Sequence, residues 1–98
     1  MNKYESVIII NPNLEENVIK AAIDKIADLI KGFAKENETE LTIEDLGRRK
    51  MAYEVRGCKE GRYIIYNFSC KAENITELER VYRITEEIIK FIVVRKDD

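Results

Sequence analysis

The sequence contains no histidine. That removes the commonest metal ligand and the commonest general base of enzyme sites. Cysteine is scarce: Cys58 and Cys70 stand alone and form no C-x-x-C pair. Two free thiols in a reducing compartment are expected, with no disulfide, redox pair or metal site. No stretch has the roughly 18 apolar residues of a membrane span. Glu5 interrupts the opening residues, so they lack a secretory leader pattern. A soluble cytoplasmic protein without membrane contact is the expectation. A basic excess is also missing. The 17 lysines and arginines face 19 acids, for a formal net charge of -2. An isolated nucleic-acid binder is normally clearly basic. A role on nucleic acid therefore needs a local basic patch or a basic companion. Phosphate loops, dinucleotide fingerprints and the G-x-S-x-G elbow are absent. Glu15, Glu16, Glu86 and Glu87 fall at a helix start and a turn, both solvated. No catalytic residue, metal or cofactor is assigned, and an enzyme is not expected.

What remains is an ordinary globular balance, 45% hydrophobic and 37% charged over 98 residues. This is one domain, spanning residues 1–98. It can bury about two-thirds of its unfolded surface.

Residues 4–10 are short, β-branched and bounded by Asn11, Pro12 and Asn13, which predicts a strand. The continuous apolar run from Val7 suggests a central one. Asn13 with Glu16 three positions on has the spacing of a helix cap. Val18, Ala22, Ile26, Leu29 and Phe33, widened by Ile19, Ile23 and Ile30, predict an amphipathic helix over residues 14–36. A solvated connection follows over 35–38. Leu41 and Ile43 then alternate with polar residues, the phase slips after Asp45, and Met51, Tyr53 and Val55 restore it. One strand over 39–55 with a bulge at Gly47 explains both the slip and the glycine. Residues 56–61 read as a hairpin loop with a glycine at each side. In the next strand, 62–70, Ile64, Tyr66, Phe68 and Cys70 make an apolar face. Tyr63, Ile65, Asn67 and Ser69 make a mixed face where a partner can dock. Asn74 and Glu77 repeat the cap spacing, and Ile75, Leu78, Val81 and Tyr82 predict a second helix ending near 83–85. Residues 88–94 are too β-branched for a helix and predict a last strand. Residues 95–98 are expected to form a frayed charged tail.

The order strand, helix, strand, strand, helix, strand matches the split βαβ, or ferredoxin-like, unit: an α+β fold. It implies a four-stranded antiparallel sheet with two helices on one face and the other face open. The fold alone assigns no function. Acylphosphatase shares it and uses an arginine and an asparagine, with a phosphate loop between the first strand and first helix. Residues 11–14 carry no arginine or glycine there. Lys3, Arg48, Arg49, Lys50, Arg83, Lys90, Arg95 and Lys96 are candidates for phosphate contact. Lys3 and Lys96 fall near the ends of adjacent strands, where their charges converge. Tyr63 can stack or pack on the open face.

The run Leu46, Gly47, Arg48, Arg49, Lys50, Met51, Ala52, Tyr53, Glu54, Val55 resembles the signature of the bacterial small-subunit ribosomal protein six family. The opening, Tyr4 and Glu5 before an apolar strand and then Asn11 to Leu14, is similar to the family's start. The ending, Tyr82, Arg83 and Ile84, then acids and Phe91 to Arg95, is similar to its close. Met51 replaces the usual leucine, Glu54 stands where many members have proline, and Lys50 is more basic than is common there. The resemblance implies a non-catalytic constituent of the small ribosomal subunit, monomeric when free. It implies binding to the central domain of 16S ribosomal RNA together with the small basic ribosomal protein eighteen. On those grounds Lys3, Arg83 and Lys90 are assigned to RNA phosphates, with Arg95 and Lys96 added from their spacing. Gly47, Arg48, Arg49, Lys50, Tyr63 and Ile65 are assigned to the protein partner. For Tyr63 and Ile65 the competing role is ordinary sheet surface. The competing class for the whole chain is a regulatory or self-associating ferredoxin-like domain, which would form a homodimer or bind a metabolite.

Overall fold

The computed structural model describes residues 2–33 and 41–96. Six elements follow in order: β1 (Asn2–Ile10), α1 (Glu16–Gly32), β2 (Thr42–Val55), β3 (Cys58–Cys70), α2 (Ala72–Ile84) and β4 (Ile88–Lys96). The sheet order is β2-β3-β1-β4, antiparallel throughout. This is the expected ferredoxin-like arrangement. β1 is interior, as its unbroken apolar run requires. The end of the first helix expected at 36, the connection at 35–38 and the strand start at 39 lie outside the described residues.

Both helices pack on one face of the sheet. Ile19, Ala22, Ile26 and Ile30 of α1 and Leu78, Val81 and Tyr82 of α2 meet Ile8, Ile10, Ile64, Tyr66, Phe68 and Cys70 in one core. The face predicted for β3 is therefore the buried one. The α1 stripe is centred one position from the predicted one. Val18 lies on its solvent flank, 36% exposed. Two tyrosine hydroxyls are buried here, and each is satisfied. Tyr82 shares a 2.6 Å hydrogen bond with Ser6, and Tyr66 donates to the Ile23 carbonyl at 2.8 Å. Burial raises the pKa of both phenols, which keeps them neutral.

The helix starts differ from the cap reading. α1 begins after Glu15, which makes no side-chain cap. The Asn11 carboxamide oxygen accepts the Asn13 N–H at 3.0 Å instead, a local turn that competes with capping. The Asn13 oxygen is taken by Arg48, at 3.3 Å. α2 begins at Ala72 after Lys71, so Asn74 lies inside its first turn. In both helices an acid in the first turn, Glu16 and Glu73, meets the positive end of the helix dipole.

The predicted bulge is present. The β2–β3 register slips between Asp45 and Gly47, and Gly47 has φ 75. The predicted loop over 56–61 contracts to two residues. Arg56 and Gly57 both have positive φ, 49 and 78, and Val55 pairs with Cys58. This is the two-residue hairpin geometry whose twist matches the strands. β3 therefore starts at Cys58 rather than 62. The first half of the charged tail is also corrected: Tyr4 pairs with Arg95 and Lys3 with Lys96 in the β1–β4 ladder, while 97–98 lie outside the described residues.

The face away from the helices is only partly open. The far end of the β2–β3 hairpin curls across it, and Met51, Cys58 and Val55 close on Ile9, Ile89 and Tyr63 in a second small core. Tyr53 near the tip accepts from its far-edge neighbour: Lys90 Nζ donates to its hydroxyl oxygen at 2.7 Å. The same ammonium is 4.8 Å from the ring centroid. It therefore sits beyond the hydroxyl edge of the ring, and the contact is a hydrogen bond, not a cation over the face.

Candidate macromolecular interface

Strand alternation and register decide which side chains reach the uncovered part of the sheet. Two rows cross it. Glu44, Ile65, Val7 and Ile92 form one; Thr42, Asn67, Glu5 and Val94 form the other. Ile92 and Val94 are 50% and 49% exposed. With half-buried Val7 and Ile65 they make an apolar patch rimmed by carboxylates. Tyr63 pairs with Gly47 on one side and Ile9 on the other. It lies in the second core, at the border of the patch, and Ile65 lies within the patch. The two expected open-face residues are thus neighbours on one surface, with the kink at Gly47 alongside.

The β2 edge is held by Arg62. Its guanidinium, 17% exposed, takes the Glu16 carboxylate in a fork at 2.9 and 3.0 Å. It also binds Asp45 through Nε at 2.7 Å and through a second contact from Nη2. Asp45 in turn accepts the Gly47 N–H at 2.9 Å. Hydrogen bonding to Arg62 lowers the pKa of Asp45 and of Glu16, and the two carboxylates raise that of Arg62, Asp45 most. The start of α1, the bulge and β3 are joined at one side chain. No sequence pattern links three residues so far apart, and Arg62 escaped the site reading.

Arg48, Arg49 and Lys50 stand exposed beyond that anchor. Arg48 contacts Glu60 at 3.0 Å. Arg49 donates to the Leu46 carbonyl at 3.3 Å, which orients it along the kink. The charge cluster is present on the edge, with part of Arg48 already engaged.

The cations assigned to RNA fall into two groups along the opposite edge. Lys3 and Lys96 pair at one end, as strand adjacency predicted, and Arg95 stands beside them on the helix-side face, opposite Tyr4. Lys96 is held by Glu5 at 3.0 Å and by Asn67 at 3.1 Å, and Arg95 by Asn2 at 3.0 Å. Arg83 and Lys90 meet at the other end, about six strand residues and on the order of 20 Å away. Arg83 lies 5.8 Å over the Phe91 ring. A third cation joins them. Arg56, from the hairpin tip, donates to the Ile88 carbonyl at 3.3 Å. Sequence reading placed it in a loop, because the curl of the hairpin is not a periodic signal.

Among the described residues no group of three metal-binding side chains converges, and no helix is long and apolar enough to cross a membrane. The thiols are free and buried. They sit at the two ends of β3, on the order of 40 Å apart in an extended strand, well beyond disulfide reach.

Comparison with known proteins agrees with this architecture. The family model described as Ribosomal protein S6 matches residues 3–95. The small ribosomal subunit protein bS6 of Heliobacterium modesticaldum is 38% identical over 98 residues, covering 100% of this chain and 99% of that protein. That of Clostridium novyi is 40% identical over 97 residues, covering 99% of each. The crystal structure of 30S ribosomal protein S6 from Thermotoga maritima superposes with a TM-score of 0.87 at 34% identity, over 97% of this chain and 87% of that one. With the motif at Gly47, the sheet order and full-length similarity all in agreement, this chain belongs to the ribosomal protein S6 family.

Proposed function

We propose that this protein is a non-catalytic building block of the small ribosomal subunit that joins 16S ribosomal RNA, in its central domain, to the basic small-subunit ribosomal protein eighteen. The exposed apolar patch of Val7, Ile65, Ile92 and Val94 on an otherwise packed sheet carries the reading. Contiguous apolar surface of this kind marks a docking face. The patch is rimmed by exposed Glu44 and by Glu5, which it shares with Lys96, and the Glu44 side suits a basic protein. Arg48, Arg49 and Lys50 flank it on the β2 side, and the two cation groups on the β4 side face RNA. An acidic-to-neutral chain gains from a basic companion the counter-charge that phosphates require. The site residues follow: Gly47, Arg48, Arg49, Lys50, Tyr63 and Ile65 for the partner protein; Lys3, Arg83, Lys90, Arg95 and Lys96 for RNA.

Reconstitution tests the reading. A 16S central-domain fragment is titrated with this protein, alone and with protein eighteen, and sedimentation equilibrium reports the free state. The expected result is a monomer that binds RNA weakly alone and tightly as a pair. A stable homodimer with no gain from protein eighteen would support the self-associating alternative and end the proposal.

A further inference from the structure

We propose that Arg56, Arg83 and Lys90 form one seat for an RNA phosphate, built across three elements at the junction of the hairpin tip, α2 and β4. The proposal rests on the RNA-binding reading above and adds to it a residue, Arg56, and a place.

The three side chains line one open cavity of about 260 Å³. Its floor is Tyr82, Ile88, Ile89 and Phe91, and among the described residues no carboxylate lines it. Each cation is already positioned. Arg83 lies 5.8 Å from the Phe91 ring centroid, a contact that restrains the side chain. Lys90 is tethered to the Tyr53 hydroxyl just outside the cavity, and Arg56 to the Ile88 carbonyl within it. One contact leaves a guanidinium with most of its five donors available. Pre-positioned side chains lose less freedom when an anion arrives.

The backbone fixes the place of Arg56. Arg56 has φ 49 and is the only non-glycine among the described residues in the left-handed region. Two-residue turns of this kind favour asparagine, aspartate or glycine there. A long cationic side chain at such a position costs about 1–2 kcal/mol of local strain. The turn requires positive φ at both central residues, so the strain belongs to the hairpin and fixes where the Arg56 side chain leaves it. The placement favours RNA over an acidic peptide. The seat shares its edge strand with Arg95 and Lys96, so basic side chains recur along one edge, as a sugar-phosphate backbone requires. Guanidinium forks with one lysine also suit the two free oxygens of a phosphodiester.

The test uses Arg56→Asn, which keeps the turn preference and removes the charge, beside Arg83→Gln and Lys90→Gln. Lys31→Gln, on α1, is the control. Binding to the 16S central-domain fragment with protein eighteen present is followed between about 50 and 200 mM salt. Each seat variant is expected to weaken binding several-fold and to lower the log–log salt slope by roughly 0.7–0.9, one phosphate contact's worth. Lys31→Gln should leave the slope unchanged. Thermal melting checks each fold, and Arg83→Gln and Lys90→Gln carry the test if Arg56→Asn does not fold. Wild-type slopes in all three variants overturn the seat and leave the RNA reading standing. An equal loss for Lys31→Gln overturns it in favour of diffuse charge. Loss of protein-eighteen capture without RNA, at unchanged slope, overturns it in favour of a protein contact. A wild-type protein that does not bind RNA ends both.

Discussion

Gly61 has no room for a side chain. A Cβ built there would lie 2.1 Å from Ile9 Cγ2 and 3.7 Å from the Met51 sulfur. Ile9 covers it at the heart of the second core, so the glycine answers a packing need. Read in sequence, it looks like a loop residue, because close approach from a neighbouring strand leaves no local mark. Gly61→Ala is expected to cost about 1–3 kcal/mol by overpacking, measured by urea unfolding with an unchanged m-value. Phe68 is the opposite case. Its alternation with Ile64 and Tyr66 announced a core position, and it is 3% exposed against Tyr4. Phe68→Ala is expected to cost about 3–5 kcal/mol, and a loss under about 1 kcal/mol would contradict the face assignment. Cys70 extends the same face. Burial pushes its thiol up to about 11, against about 8.5 for a free cysteine. Unfolded chains therefore lose this proton first, and Cys70 contributes a fall in stability as pH rises from about 8.5 towards 11. At neutral pH its alkylation should proceed no faster than opening of the fold. Rapid labelling of the native protein would show that the thiol is not sealed.

Elements are tied together by Arg62. Glu16 and Asp45 both have folded-state pKa values below the ordinary carboxylate range because Arg62 binds their charged forms. The unfolded chain takes up protons first as pH falls, so the stability they contribute is complete above the ordinary range and lost below it. Both carboxylates are substantially exposed, so solvent screening keeps the effect modest. Arg62→Gln should flatten the acid limb of a stability–pH profile and loosen hydrogen-exchange protection at Gly47. An unchanged acid limb would remove the anchor. Element order and the bulge were legible because hydrophobic period carries them. Val7 to Ile10 declared a central strand, and the slip after Asp45 located the kink. The helix starts were not, since Asn13 satisfies Arg48 and Glu15 opens α1 without a side-chain cap. The frayed tail was misread for another reason: Arg95 and Lys96 look solvated by composition, yet β1 supplies a ladder for them.

At the scale of the molecule, the two charged edges are separated by the width of the sheet. They should act independently. Arg48→Glu with Arg49→Glu is expected to weaken capture of protein eighteen and leave the fold intact, because the pair to Glu60 is exposed and contributes about 0–1 kcal/mol. Combined with Lys90→Gln, the losses should add. Unchanged assembly at matched salt would take the β2 edge out of the interface. Topology made part of this arrangement readable in advance, since the strand order brings Lys3 beside Lys96. The grouping of Arg56 with Lys90 was hidden, because it depends on the hairpin bending over the sheet.

The ladder joining β1 to β4 has a consequence for biogenesis. The first strand made is flanked on one side by the last, so a nascent chain lacking β4 exposes the Val7–Ile10 stretch along an unsatisfied backbone rim. Such a rim invites pairing with other chains. Ribosome-stalled intermediates ending before residue 88 should therefore depend on chaperones for solubility, and release of the final nine strand residues should remove that dependence.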